Sequence, residues 1–190
     1  MANTWFSSDY HLGHFNIIRY CNRPFKTLFE MNEAIIANHN MRVKPEDTLF
    51  MVGDFCFRNS PGGKEGEGEI YKFDYYRARL NGNIVFIKGN HDNNNSTKTP
   101  IEKVVIRYGG QRICMVHNPI HADSSYPINF VGHVHGAWII KELDATWKST
   151  QLNEKSIMYN VGVDVNNFRP VAYEEIWSNI QKWKKIKKAE

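Results

Sequence analysis

The chain has little cysteine, no long apolar run and no phosphate-cradling glycine loop. Its three cysteines, Cys21, Cys56 and Cys114, are widely spaced and odd in number. That argues against a disulfide framework. It fits buried thiols in a reducing cytosol, so a cytoplasmic protein is expected. No apolar stretch is long enough to span a bilayer, so no membrane partner is expected. Met1–Phe6 lacks the basic and apolar regions of a secretory signal. The segment 58–68 is rich in glycine and charge. It lacks the glycine spacing and terminal Lys-Ser/Thr of a P-loop, so it is not a phosphate-cradling loop of that kind. No internal repeat and no linker divides the sequence, so residues 1–190 are read as one domain, long enough to bury a real core.

What is present is ordinary in bulk. Apolar residues make up 42% and charged residues 23%, with a net charge of +4. Five lysines lie between Lys182 and Lys188. They read first as a solvated helix end that complements the helix dipole, and second as a weak contact for phosphate backbones. The pattern predicts strands over Asn3–Ser8, Thr48–Val52 and Ile84–Ile87. Between them it predicts helices over Asn16–Cys21, Glu30–Met41 and Glu69–Leu80. A hairpin is expected from Val104–Tyr108 through Gly109-Gly110 to Arg112–Val116. Strands follow at Asn129–Val131, Ile157–Val161 and Val163–Val165, and a closing helix at Tyr173–Trp183. The first half thus reads β-α-β-α-β and the second is richer in β, which favours an α/β layered domain with mixed sheets.

Four short segments each put metal-binding side chains at the end of an expected strand. They are Asp9-Tyr10-His11, Gly53-Asp54, Gly89-Asn90-His91-Asp92 and Gly132-His133-Val134-His135-Gly136. A fifth candidate, His117, follows the apolar run Ile113–Val116. The donors are carboxylate, amide oxygen and imidazole, with no cysteine. Such sets suit borderline divalent ions: Mn is the first candidate, and Fe, Zn or Ni the alternatives. Seven side chains, one able to bridge, point to two ions. Two ions roughly 3.5–4 Å apart activate a water and clamp a phosphoryl group. The loop 58–68 follows one of these segments and reads either as a mobile rim or as a solvent-exposed connection.

In this order the segments resemble the pattern of the calcineurin-like metallophosphoesterases: D-x-H, G-D, G-N-H, a lone His, then G-H-x-H. The run Ser7–Arg23 and the later Tyr159–Asp164 are similar to a small bacterial or phage branch. The resemblance implies a four-layer fold, two mixed β-sheets packed as a sandwich flanked by helices. It implies Asp9, His11, Asp54 and His135 around one ion and Asp54, Asn90, His117 and His133 around the other, with Asp54 shared. A hydroxide bridging the metals would be the nucleophile. The chain lacks the G-D-x-x-D-R-G run of the protein Ser/Thr phosphatases; Phe55-Cys56-Phe57-Arg58 follows Asp54.

The same resemblance gives His91 the task of assisting the transition state and protonating the leaving oxygen. Asp92 is read as its orienting partner or as a turn residue. His14 is read as a phosphate contact or proton-transfer group, or else as packing. Arg23 and Arg58 are candidate substrate contacts. His121 is read as structural and His39 as a surface or packing residue. The expected activity is phosphoester hydrolysis, leaning to a phosphodiesterase on a nucleotide or nucleic acid. The alternatives are a phosphomonoesterase on a small substrate, a nuclease subunit acting with a partner, and a non-catalytic scaffold on the same fold. The sequence leaves the oligomeric state open.

Overall fold

The computed structural model describes residues 2–57, 69, 71–92, 97, 99–143 and 155–189. Two mixed sheets carry the fold. The first contains β1 (Thr4–Ser7), β2 (Thr48–Val52), β3 (Asn83–Ile87) and β9 (Val171–Ala172), in the order β3-β2-β1-β9. The second contains β4 (Val104–Tyr108), β5 (Gln111–Met115), β6 (Ile128–Val131), β7 (Ile140–Glu142) and β8 (Ile157–Asn160), in the order β4-β5-β6-β8-β7. Strands β1, β2 and β3 are mutually parallel, as are β5, β6 and β8. The antiparallel strands β4, β7 and β9 sit on the edges.

Alternation along the strands builds the sandwich. On β5, Ile113 and Met115 join Phe6, Val52, Ile87, Phe130 and Tyr159 in the core between the sheets, while Cys114 faces the outer side. Successive side chains of a strand point to opposite faces, so one short strand serves two cores. The outer face of the first sheet packs under the helices α1 (Phe15–Tyr20), α2 (Leu28–Arg42) and α3 (Phe73–Ala78), with Leu28, Met31 and Ile35 against Leu49 and Met51. The outer face of the second sheet carries Cys114, Val116, Val131 and Met158 beneath Tyr126, Trp138 and Leu143. Helix α4 (Tyr173–Ala189) adds Ile176 and Ile180 to the inter-sheet core. This is the expected fold class.

Local chemistry explains the elements. The Thr27 side chain accepts the Glu30 N–H at 3.1 Å, which caps α2. Helix α2 therefore starts earlier than the apolar spacing alone indicates. Among the described residues of the aromatic segment 69–80, the helix is the six-residue α3, Phe73–Ala78. Val163–Val165 is a 3-10 turn rather than a strand. Among the described residues no helix is long and apolar enough to cross a membrane.

Candidate metal centre

The parallel strands of both sheets end on one rim. Asp9 and His11 follow β1, Asp54 follows β2, Asn90 follows β3, His117 follows β5, and His133 and His135 follow β6. Carboxyl ends of parallel strands are where α/β folds place ligands. The backbone there is strained. Asp9, His11, Asp54, His133 and His135 have φ of 59°, 51°, 54°, 70° and 46°. Non-glycine residues rarely adopt this left-handed region, and they persist in it only where surrounding contacts over-determine them. Those contacts are visible. Asp9 N–H donates to the Gly53 carbonyl at 3.1 Å, His11 N–H to the Asp54 carbonyl at 3.0 Å, and Gly132 N–H to the His117 carbonyl at 2.9 Å. His133 N–H donates to the Asp9 carboxylate. Gly53 has φ of 86°, and a Cβ there would overlap the His117 imidazole, so only glycine fits.

All seven expected metal residues come together. One ligand atom each from Asp9, His11 and His135 lies within 4.8 Å of the others, and the same holds for Asp9, Asp54 and His117. Asp54 Oδ2 is 3.5 Å from His11 Nε2 and 3.2 Å from His117 Nε2, so one oxygen faces a residue of each group. Asn90 Oδ1 is 2.9 Å from both His117 Nε2 and His133 Nδ1.

The donor chemistry fits cations. His11 Nε2 is buried and has no hydrogen-bond partner, although carboxylates lie on two sides of it. An orphaned buried nitrogen of this kind is costly unless something fills the gap. His117 Nδ1 lies 2.9 Å from the Val52 carbonyl, which can only accept. Nδ1 therefore carries the proton, and in the neutral ring Nε2 points a lone pair at Asn90 and Asp54. Without a cation, a second proton on Nε2 would satisfy those oxygens. Burial would depress its pKa, but the Asp54 hydrogen bond and the Asp9 and Asp54 charges outweigh it and raise the value to about 9. Burial also depresses His135, yet its bond to Asp164 and the charges of Asp9 and Asp164 raise it to about 10. Burial raises the Asp9 carboxyl. Carboxylates and histidines in this pattern hold each other's charge in the place a divalent ion would take.

Around this cluster the other expected residues separate. His91 borders the centre: its N–H donates to Asp54 Oδ1 at 2.9 Å, and its ring centroid is 5.2 Å from that of His11. His14 is buried, stacks on Phe57 with centroids 4.0 Å apart, and has Nδ1 3.2 Å from His11 Nδ1. Burial, then His91 and Arg23, lower its pKa to about 4, so it is neutral near pH 7. Asp92 accepts the N–H groups of Asp54, Phe55 and Gly89 at 3.0, 3.3 and 2.7 Å. It staples the Asp54 turn to the Asn90 turn, the turn role also read for it. His121 is exposed on the rim of a cavity of about 390 Å³ that Asn90 and His117 also line. His39 is a packing residue, buried between the Tyr10 hydroxyl and the Asn81 carbonyl.

Arg23 is a correction. It is buried, and its five N–H donors are engaged by both Asp164 oxygens, the carbonyls of Asp9 and Tyr10, and Met31 Sδ. No donor remains for a substrate phosphate. Arg58 and the 58–68 loop lie outside the described residues.

Two residues without an assigned role prove central to the geometry. Asp164 Oδ2 accepts from His135 Nδ1 at 2.8 Å. Asn160 donates to the His135 and Trp138 carbonyls and accepts from Gly162 N–H. Both fall in the Tyr159–Asp164 run that carried part of the resemblance. That was the only signal for them, because the His135 and Trp138 groups they bind are remote in sequence.

The fold and rim define a two-sheet α/β protein with an Asp/His/Asn cluster on the carboxyl ends of its parallel strands. No family model matches the chain. It is 37% identical over 188 residues to the uncharacterized protein MJ1445 of Methanocaldococcus jannaschii, a match covering 98% of this chain and 96% of that protein. The chain belongs to the same family as this archaeal protein. Among solved structures, the protein of unknown function AQ665 from Aquifex aeolicus has a TM-score of 0.64 at 22% identity, covering 94% of this chain and 99% of that one. A looser likeness is to Yfce, a phosphoesterase from E. coli, with a TM-score of 0.38 at 14% identity over 84% of this chain and 77% of that one.

Proposed function

We propose that this protein is a dinuclear-metal phosphoester hydrolase, acting as a phosphodiesterase on a nucleotide or nucleic-acid substrate. The observation that supports it most is the partnerless, buried His11 Nε2 set between Asp9 and Asp54. In this reading Asp9, His11, Asp54 and His135 hold one ion and Asp54, Asn90, His117 and His133 the other, with Mn the first choice of metal. Ions bound there would supply a nucleophile at neutral pH and a positive clamp for phosphoryl oxygens.

The chain's own residues do the rest. The strained turns hold the donors in place before any ion arrives, so little reorganisation is needed on binding. Asp92 keeps the Asp54 and Asn90 turns in register through three backbone N–H groups. His91 sits beside the cluster, only partly buried, where its imidazole can give a proton to a leaving oxygen. His14, neutral and stacked on Phe57, walls that flank. We read residues 1–190 as one domain working in the cytoplasm, in keeping with its free Cys21, Cys56 and Cys114.

The test is hydrolysis of bis-p-nitrophenyl phosphate and p-nitrophenyl phosphate by metal-stripped protein, with Mn, Ni, Zn or Mg restored singly. Diester cleavage that needs added metal is the expected result. Cleavage of the monoester alone would replace the diesterase reading with a phosphatase. Metal uptake without cleavage of either would favour a scaffold.

A further inference from the structure

We propose that Asp164 is a positioning residue of the metal centre, orienting His135 while Arg23 holds Asp164 in place. The inference rests on the two-metal reading above. His135 Nδ1 donates to Asp164 Oδ2 at 2.8 Å, so in the neutral ring that would bind an ion the lone pair is on Nε2. A carboxylate on the far nitrogen of a metal-binding histidine fixes the tautomer and ring angle and makes the ring a better donor.

Asp164 is fixed in turn. Arg23 grips it with Nε to Oδ1 at 2.8 Å and Nη2 to Oδ2 at 2.9 Å, a bidentate pair with the Arg23 side chain fully buried. The same guanidinium donates to the Asp9 carbonyl at 2.7 Å and the Tyr10 carbonyl at 3.0 Å. One cation therefore ties the left-handed Asp9 turn to the residue that orients His135. Both proposed ligands belong to the first ion, so the device acts on one metal and not on its neighbour.

A competing use of these groups is a third metal position. Cys21, His135 and Asp164 each offer a ligand atom, and the three lie within 4.8 Å of one another. The Arg23 charge argues against it. Both Asp164 oxygens already accept from a buried guanidinium, and a divalent ion there would face a fixed positive charge in a water-poor setting. Cys21 is better read as a neighbour of the pair than as a ligand.

The test is Mn²⁺ titration of metal-stripped protein by calorimetry, with wild type, Asp164→Asn and the double substitution Arg23→Met/Asp164→Leu. Wild type is expected to show two binding events. Asp164→Asn keeps the side-chain shape, and one event should weaken by about 10–100-fold. The other should stay within about twofold, a selectivity that general loosening would not produce. The double variant removes both charges together, so it keeps the test usable if a lone Arg23 charge unfolds the single variant. It should show the same selective loss. Two unchanged events in a folded variant, or equal weakening of both, would overturn the proposal. Absence of any Mn²⁺ binding by wild type would sink the metal-centre reading itself, before any variant is considered.

Discussion

His117 Nε2 lies 3.2 Å from Asp54 Oδ2, while the other nitrogen of the same ring is fastened to the Val52 carbonyl at 2.9 Å. The ring cannot turn away without losing a buried hydrogen bond. Asp54 Oδ2 also faces His11, so a single oxygen stands between the two groups. Asp54→Ala should therefore empty both metal positions rather than one. Metal analysis after dialysis should fall from about two ions per chain, the two-metal expectation, to near none. Retention of one full equivalent would mean that Asp54 does not bridge.

His91 bonds Asp54 through its backbone N–H, which survives substitution, and its ring packs edge-on against that of His11. His91→Ala should reduce kcat by about 10²–10⁴-fold, the usual span for a lost general acid. Metal content should stay near the wild-type level. Equal loss of metal and turnover would assign His91 to coordination instead.

Gly89 passes so close to the Asp54 turn that an added Cβ would lie 2.8 Å from Asp54 Cγ and nearer still to its oxygen. Gly89→Ala should displace the carboxylate, weaken metal uptake and cost about 1–3 kcal/mol in urea denaturation. Gly136→Ala is the control, because a Cβ there meets nothing within 4 Å. It should be near neutral in stability. Similar losses for the two variants would show that crowding at Asp54 is not the cause.

A buried histidine outside the set of expected metal ligands contributes to the pH dependence of stability between pH 7 and 5. Burial lowers the His39 pKa from 6.5 to about 4, so the native ring is neutral. The unfolded chain takes up a proton as pH falls below its own value near 6.5, and the folded chain resists until near 4. The His39 contribution is thus complete above pH 6.5 and is lost on acidification toward 4. Between pH 7 and 5 it should amount to about 2 kcal/mol. His39→Gln should flatten the pH profile of metal-free protein by about that much, read from urea midpoints. An unchanged slope would show that His39 titrates normally.

How much of this was legible beforehand depends on where each residue's partner lies. Asp9, His11, Asp54, Asn90, His117, His133 and His135 could be picked out because each belongs to a short segment after an apolar strand. Rim placement follows from strand direction, so the sequence carries it. Arg23 could not be read that way, since its role is set by Asp164, 141 positions later. As a lone loop arginine it resembled a phosphate contact. Val163-Asp164-Val165 looks like an alternating strand, yet it forms a turn whose C-cap, Asn166, donates to the carbonyls of Asn160 and Gly162. Strand β9, two residues long, is too short to leave a pattern. Its pairing with β1 is supplied by the rest of the fold.

The rim gathers its donors from five strand ends in two sheets, from Asp9 to His135, with Asp164 beyond. Among the described residues, each Asp/His group that could hold an ion draws on remote segments, unlike a zinc finger, whose ligands nucleate a local fold. Contacts of such long sequence separation form late and slowly. Metal capture should therefore follow assembly of the two sheets rather than guide it. A bound ion becomes a report that folding has finished, and a stalled or misassembled chain would carry none.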